Sequence, residues 1–232
     1  MKPIGIIGGL TYVSTLEYYR YINEIANKEL GGNETVEVIM YSVNFGEIKK
    51  HTEADDWNKL AEIMIEKARL IESDGAGCLL ITANTMHKIA DEVQAAINIP
   101  VIHIAEAVAQ EVLQDKLKTV GLLGTRYTMQ LGFYTEKLSS YNIKTIIPEQ
   151  EEIEFVNRTI YNEFSKNIFL TETKTRYLDI INKLQLKGAE GIILGCTEIP
   201  LLISQSECEL PLFNTAKIHS QAGVDFVIKN IE

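Results

Sequence analysis

Residues 4–9 read IGIIGG, a short apolar run that ends in two glycines. Residues 120–125 read VGLLGT, and the matching glycines Gly5 and Gly121 lie 116 positions apart. A short apolar run bounded by turn residues is typical of a strand buried on both faces, as in parallel sheets. Both segments are therefore predicted to be strands that end in a tight turn.

A second pair of segments repeats at nearly the same distance. Residues 78–85 read CLLITANT and residues 192–197 read IILGCT, with 113 positions between Ala83 and Cys196. Two similar offsets within one chain predict a duplicated α/β unit and hence two pseudo-symmetric lobes.

The rest of the chain alternates between short apolar runs and longer amphipathic stretches, which is the pattern of βαβ units. It predicts an α/β fold in which each lobe is a parallel sheet flanked by helices. Lobe one is predicted over residues 1–102 and 212–232, with the C-terminal helix returning to it, and lobe two over 103–211. Strands are predicted over residues 4–7, 36–41, 78–81, 101–104, 120–123, 144–147, 191–194 and 212–213. Helices are predicted over 14–30, 54–73, 90–97, 106–114, 129–141, 151–164, 171–188 and 215–231.

Composition excludes several classes of protein. The net charge of −10 argues against a general nucleic-acid binder, because neutralising phosphates needs clustered lysine and arginine. No apolar run approaches the ~18–20 residues of a membrane span, and no signal peptide precedes the first predicted strand. Three cysteines without framework spacing favour a reducing, cytoplasmic location.

Four predicted turns carry small and hydroxyl residues at the carboxyl ends of strands. They are residues 8–11 (GGLT), 83–85 (ANT), 124–126 (GTR) and 195–198 (GCTE). Ligands of open parallel sheets bind beyond these strand ends, and amides at helix starts favour carboxylate or phosphate groups. The simpler interpretation of Gly8 and Gly9 is a tight βα turn, since they lack the dinucleotide-binding pattern.

Cys196 is the most informative residue of these turns. It follows a buried-type strand, where backbone N–H groups would stabilise a thiolate. The alternative is a small buried hydrophobe, which is the usual role of a free cysteine. Cys78 is predicted to be core and Cys208 an exposed loop thiol. The four histidines lack the spacing of a zinc site.

Four segments together resemble the PLP-independent aspartate/glutamate racemase family. They are residues 5–9 (GIIGG), 84–87 (NTMH), 121–128 (GLLGTRYT) and 195–199 (GCTEI), and they occur in the family's order over essentially the whole chain. The residues that follow Asn84 and those that follow Gly124 are most similar to the branch of broad or L-aspartate/glutamate-preferring racemases.

The resemblance implies a homodimer with an active site in a cleft between the two lobes. One residue from each lobe would act on opposite faces of the α-carbon, without PLP or metal. Cys196 would be one acid/base, and position 83 would be the other. The resemblance also implies a set of polar residues that contact or surround the substrate: Thr11, Asn84, Thr85, Thr125, Lys166, Thr197, Glu198 and His219. Of these, Glu198 and His219 would orient either Cys196 or the ammonium group, directly or from behind the residues that touch the substrate.

Ala83 departs from the family pattern, which has a cysteine at this position, or a threonine in the branch that this chain resembles. A methyl group can neither give nor take a proton. Three explanations compete: an engineered substitution, a natural site in which Thr82 or water serves that face, or a relative whose reaction needs one protonation. If the strand is regular at its end, Thr82 points to the opposite face.

Two further functions stay open beside racemisation of aspartate, glutamate or a wider set of amino acids. One is a single-cysteine relative that protonates one face after decarboxylation. The other is a catalytically weak amino-acid-binding protein.

Overall fold

The computed structural model describes residues 1–229. The helix predicted over 215–231 is described as Thr215–Lys229, so the end of that prediction lies outside the described residues. The chain divides into two compact units. The first holds Met1–His103 and the C-terminal segment from His219, and the second holds Ile104–Ile218.

The first unit contains a parallel sheet of three strands in the order β2-β1-β3. Its central strand is wholly buried, as its unbroken apolar sequence predicts. The strands are β1 (Ile4–Gly8), β2 (Val38–Ser42) and β3 (Cys78–Ile81). The helices are α1 (Tyr12–Leu30), α2 (Phe45–Glu53), α3 (Trp57–Ser73) and α4 (Ala90–Ala95).

The second unit contains a parallel sheet of four strands in the order β5-β4-β6-β7. The strands are β4 (Thr119–Gly124), β5 (Lys144–Ile146), β6 (Gly191–Gly195) and β7 (Leu212–Asn214). The helices are α5 (Ile104–Gln114), α6 (Arg126–Gln130), α7 (Phe133–Ser140), α8 (Gln150–Asn162), α9 (Thr171–Leu186) and α10 (Ile199–Leu202). A final helix, α11 (Thr215–Lys229), begins in this unit and enters the first at His219.

The same strand order recurs in both units. The first repeated segment, residues 4–9, forms the central strand β1, and its counterpart forms β4. Strand β1 is flanked by β2 and β3, and β4 is flanked by β5 and β6. Strands β3 and β6 are the ones that contain the second repeated pair of segments. The prediction of a two-lobed α/β protein with parallel sheets and flanking helices is confirmed.

Two strand predictions need correction. Strand β7 was predicted to belong to the first lobe, but it pairs in parallel with β6 and so belongs to the second sheet. A three-residue strand carries no sequence signal for its partner. The strand predicted over 101–104 is reduced to one bridge between Leu79 and Val101, because α5 already begins at Ile104.

Two helix predictions also differ from the structure. Helix α2 was not predicted, although Asn44 caps it by accepting a hydrogen bond from the amide of Gly46. The helix predicted over 129–141 is two helices, α6 and α7. They separate at Gly132, whose φ of 83° is a left-handed conformation that ends a helix and that glycine adopts without steric penalty.

Candidate functional site

The first turn of the candidate site follows β1. Gly9 has a φ of 76°, and a Cβ atom built on it would lie 2.2 Å from the Val43 carbonyl oxygen, so no other residue fits. Its amide donates to Thr15 Oγ1 at 2.8 Å. Thr11 is the N-cap of α1, where its hydroxyl oxygen accepts from the Ser14 amide. These bonds hold the β1 end in one conformation.

The end of β3 is fixed against the same turn. Thr82 is fully buried, and its hydroxyl donates to the Ile7 carbonyl at 3.0 Å. The Ser14 hydroxyl donates to the Thr82 carbonyl at 2.7 Å. Because the Thr82 hydroxyl is committed to the backbone of β1 inside the core, it is not available to replace an acid/base at position 83.

The residues after β3 form a short 3-10 helix, Thr85–Ile89. Ala83 is partly buried, whereas Asn84 and Thr85 are both buried. His87 Nδ1 lies 2.9 Å from the Ala83 carbonyl oxygen, so this nitrogen carries the proton and donates it. The backbone of position 83 is therefore anchored through a buried imidazole.

His219 is placed differently from its predicted role. Its ring is fully buried, with Nε2 at 2.6 Å from the Ile102 carbonyl oxygen and Nδ1 at 2.8 Å from Tyr18 Oη. A carbonyl only accepts, so Nε2–H donates to Ile102 and Nδ1 accepts from Tyr18. Burial lowers the pKa of His219 to about 3, with the neighbouring His87 adding to the effect. Both ring nitrogens are used inside the protein, so His219 acts as a structural link between Tyr18 and the Ile102 carbonyl.

In the second unit, the ends of β4 and β6 meet at two paired glycines. Gly124 is opposite Gly195 in the sheet, and a Cβ atom on Gly124 would lie 2.8 Å from the Gly195 carbonyl oxygen. The close approach requires glycine at this point and brings the turn at Thr125 beside the turn at Cys196. Thr125 caps α6 by accepting from the Thr128 amide at 3.2 Å.

Cys196 follows β6 directly and is buried with 7% of its surface exposed. Its thiol donates to Glu198 Oε2 at 3.1 Å, and the Thr197 hydroxyl donates to the same oxygen at 2.8 Å. Glu198 is itself buried. Three of the residues predicted for the site thus form one hydrogen-bonded group at the carboxyl end of β6.

The environment of Cys196 differs from the one expected from sequence. Burial raises the pKa of the Cys196 thiol well above its usual value, and the charge of Glu198 raises it further. Backbone N–H groups of Glu198 and Ile199 act in the opposite direction, as predicted for a strand-end turn, but they are outweighed. Burial and the Glu198 carboxylate therefore favour the protonated thiol, in contrast to the stabilised thiolate that the strand-end turn predicts.

Lys166 ends the short 3-10 helix Phe164–Lys166 and is exposed. It belongs to a different element from the strand-end turns. The ring of Phe164 packs against Tyr177, a fully buried residue whose hydroxyl bonds to Thr159 Oγ1 at 2.9 Å. Burial raises the pKa of the Tyr177 phenol well above its usual value, and electrostatic interactions with Cys196 and Glu198 raise it further.

Several supporting residues were not predicted from sequence. Ser14 and Thr15 fix the ends of β3 and β1, and Tyr18 fixes His219. The available signal was their position: each lies within the first two turns of the helix that follows the glycine turn. Side chains there reach back to the strand ends.

The described part of the chain contains neither a metal-binding cluster nor a membrane-spanning helix. Within residues 1–229, no three or more histidine, cysteine or acidic side chains are grouped in a way that could hold a metal ion. Over the same range, no helix is both long and apolar enough to cross a membrane.

The family model for Asp/Glu/hydantoin racemases matches residues 7–223. The chain belongs to this family. It is 22% identical over 222 residues to the broad specificity amino-acid racemase RacX of Bacillus subtilis strain 168, covering 95% of this chain and 96% of that protein. The expected family resemblance is therefore confirmed.

Solved structures of racemase-like proteins share the architecture of this chain. A candidate Asp/Glu racemase from Yersinia pestis is 40% identical, with a TM-score of 0.91 over 98% of this chain and 100% of that one. An aspartate racemase homologue from Pyrococcus horikoshii OT3 is 36% identical, with a TM-score of 0.85 over 98% of this chain and 100% of that one. The chain thus spans the full length of these relatives.

Proposed function

We propose that this chain is a PLP-independent racemase of aspartate, glutamate or a wider set of amino acids, with Cys196 as the acid/base on one face of the α-carbon. The observation that carries the proposal is the buried Cys196 thiol, which donates to the Glu198 carboxylate at the carboxyl end of β6. A thiol within hydrogen-bond distance of a buried carboxylate has a positioned partner for proton transfer, which suits a general acid/base.

The proton positions determine how Cys196 would work in each direction. As an acid, the resting thiol protonates a carbanion directly. As a base, it first passes its proton to Glu198, and the resulting thiolate removes the α-proton. The thiolate becomes a thiol again by taking the α-proton, and Glu198 restores the resting state by releasing its proton to solvent. Glu198 would therefore act as a proton relay for Cys196 rather than as a direct partner of the substrate.

The α-proton of an amino acid is far less acidic than a thiol, so the negative charge that forms on the α-carbon and its carboxylate needs stabilisation by aimed donors. Asn84, Thr85 and Thr197 are the proposed donors to the substrate α-carboxylate. All three are buried at strand ends, where donors keep a fixed orientation and interact more strongly than in water. Thr11 and Thr125 would support this group through the helix starts that they cap.

Position 83 would serve the opposite face of the α-carbon through a water molecule. Ala83 itself has no exchangeable proton, and the Thr82 hydroxyl is bonded to Ile7 in the core. A water is a weaker and less precisely placed acid/base than a side chain. We therefore expect exchange at the face of Cys196 to be faster than inversion of the α-carbon.

One-sided proton delivery after decarboxylation is the second candidate function. Ala83 together with the protonated resting state of Cys196 favours it, because a carbanion formed by loss of CO₂ needs one acid and no base. Incubation with an α-substituted malonate in D₂O separates the two candidates. Release of CO₂ with deuterium on one face supports the decarboxylase, and its absence, with exchange of amino acids present, supports the racemase.

α-Proton exchange in D₂O, followed by NMR with the L and D forms of aspartate and glutamate, tests the proposed function. Exchange from both enantiomers with inversion is the result expected of a racemase. Exchange from one enantiomer with retention would show that Cys196 works without a partner at position 83. Tight binding with no exchange from any of the four would contradict the proposal and favour an amino-acid-binding protein.

The proposed assembly is a homodimer, and the proposed location is the cytoplasm. The family resemblance supports a homodimer, which size-exclusion chromatography with light scattering measures directly. A cytoplasmic location suits a site that depends on a free thiol. All three cysteines are free, including Cys196.

A further inference from the structure

Arg126 occupies the strand end next to Cys196. It is the first residue of α6 and follows the capping residue Thr125 at the end of β4. The last residue of β4, Gly124, pairs with Gly195, the residue before Cys196. Arg126 therefore lies on the turn that is packed directly against the turn carrying the thiol.

The conformation of Arg126 is fixed at both the backbone and the side chain. Its amide donates to Asn157 Oδ1 at 3.0 Å. Its guanidinium Nη2 donates to Tyr127 Oη at 2.8 Å, and Cζ lies 4.7 Å from the centre of the same ring. Tyr127 is buried, whereas Arg126 is exposed. An exposed arginine side chain normally samples several rotamers. In Arg126 the hydrogen bond to the buried phenol holds the guanidinium in one orientation before any ligand binds.

The chemistry of this group selects the ligand. A guanidinium presents a planar fork of N–H donors that matches the two oxygens of a carboxylate. Hydroxyl and amide donors at the neighbouring turn suffice for the α-carboxylate of any amino acid, and they carry no net charge. Arg126 begins the helix that follows the strand paired with β6. Its positive charge offers a partner for a second carboxylate, which only an acidic amino acid carries.

We propose that Arg126 binds the side-chain carboxylate of the substrate and so sets the preference for aspartate and glutamate over neutral amino acids. The inference rests on the proposed function, because it places the reacting α-carbon at Cys196. Asparagine is the matched probe, since it has the shape of aspartate without the second negative charge.

The test compares Arg126→Gln with Arg158→Gln, in the same unit. Arg158 is the control because it is also exposed and also lies over a ring, that of Phe155, at 5.6 Å. Exchange of the α-proton in D₂O and calorimetric binding are measured for aspartate and asparagine. Arg126→Gln should weaken aspartate binding about 10- to 100-fold and change asparagine binding less than about 3-fold, the effect of one lost charge-assisted hydrogen bond. Arg158→Gln should alter neither.

The outcomes separate this inference from the proposed function. Equal losses for aspartate and asparagine, or no loss for aspartate, would overturn the role of Arg126. Selective aspartate binding that depends on Arg126, without any α-proton exchange by the unmodified protein, would support Arg126 and contradict the racemase proposal. An unmodified protein that binds neither ligand would contradict both. Arg126→Lys, which keeps the charge but loses the fork, should give an intermediate affinity.

Discussion

The thiol of Cys196 donates a hydrogen bond to Oε2 of Glu198, two residues later, at 3.1 Å. Both side chains are buried, so the proton between them is shielded from solvent. This contact gives the thiol a defined proton acceptor within the same turn. Burial raises the pKa of the thiol and the Glu198 carboxylate raises it further, so the protonated form is favoured in spite of the backbone amides of the turn.

Replacing Glu198 by glutamine should separate the acidity of the thiol from its function. Loss of the carboxylate charge removes one of the causes that raise the pKa of Cys196, so its alkylation should begin at lower pH. Exchange that uses Cys196 as a base should fall about 100-fold, because the relay for its proton is lost. The alkylation rate as a function of pH and α-proton exchange by NMR measure the two effects.

The control for this prediction is Glu154→Gln, which neutralises an exposed carboxylate on α8 that bonds to Gln150. It should leave both the alkylation profile and the exchange rate unchanged. An unchanged alkylation profile in Glu198→Gln would contradict the electrostatic coupling of Glu198 and Cys196.

Introducing threonine or cysteine at position 83 should increase inversion relative to exchange. Either side chain supplies a group that can transfer a proton where Ala83 has none, and positioned acid/base groups contribute about 10²–10⁴-fold. The ratio of the racemisation rate, from polarimetry, to the exchange rate, from NMR, should therefore rise at least about 10-fold. A fall in this ratio for both variants would show that the natural reaction uses no second acid/base at position 83.

Thr82→Val should reduce stability without changing the ratio of inversion to exchange. The Thr82 hydroxyl donates to the Ile7 carbonyl, which also accepts from the Thr82 amide at 3.1 Å. Loss of one of these two bonds should lower the free energy of unfolding by about 1 kcal/mol in urea titrations. If Thr82 were the second acid/base, the variant would instead lose inversion while keeping exchange from one enantiomer.

The stability of the protein should fall as the pH drops below about 6.5. Burial lowers the pKa of both His87 and His219 to about 3 in the folded protein, with a further contribution from neighbouring histidines, against 6.5 for an unperturbed histidine. A depressed histidine pKa means that the unfolded chain takes up protons first. This stabilisation is complete above pH 6.5 and is lost progressively toward pH 3.

Urea titrations between pH 7.5 and 5 measure this effect, since the carboxylates remain mostly ionised over that range. The double variant His87→Gln, His219→Gln should be less stable at pH 7.5 because it loses the three hydrogen bonds that the two imidazoles make. Its unfolding midpoint should depend less on pH than that of the unmodified protein. An equally steep dependence in both proteins would refute the role of these two histidines.

Sequence periodicity predicted the strands that lie in the buried centre of each sheet. Strand β3 was predicted with its observed bounds, Cys78–Ile81, because an apolar run of that length between turn residues is typical of a buried strand. Helix α2 was missed because it is short and polar, with only Ile48 and Thr52 buried. Its position depends on capping by Asn44 and on packing against α3, which sequence periodicity does not report.

For the candidate site, the sequence located the turns but not the states of their side chains. Cys196, Thr197 and Glu198 were identified as site residues, and the structure joins them in one hydrogen-bonded group. The protonation of Cys196 depends on burial, and the link from His219 to Tyr18 spans 201 positions of sequence. Both are consequences of tertiary packing, so a motif could not reveal them.

The central claim is that Cys196 transfers the α-proton of the substrate, and Cys196→Ala tests it most directly. α-Proton exchange from L- and D-aspartate in D₂O is followed by NMR for this variant and for Cys208→Ala, which removes a partly exposed thiol outside the site. Exchange should fall at least about 10³-fold in Cys196→Ala, and Cys208→Ala should match the unmodified protein. Full exchange in Cys196→Ala would contradict the account.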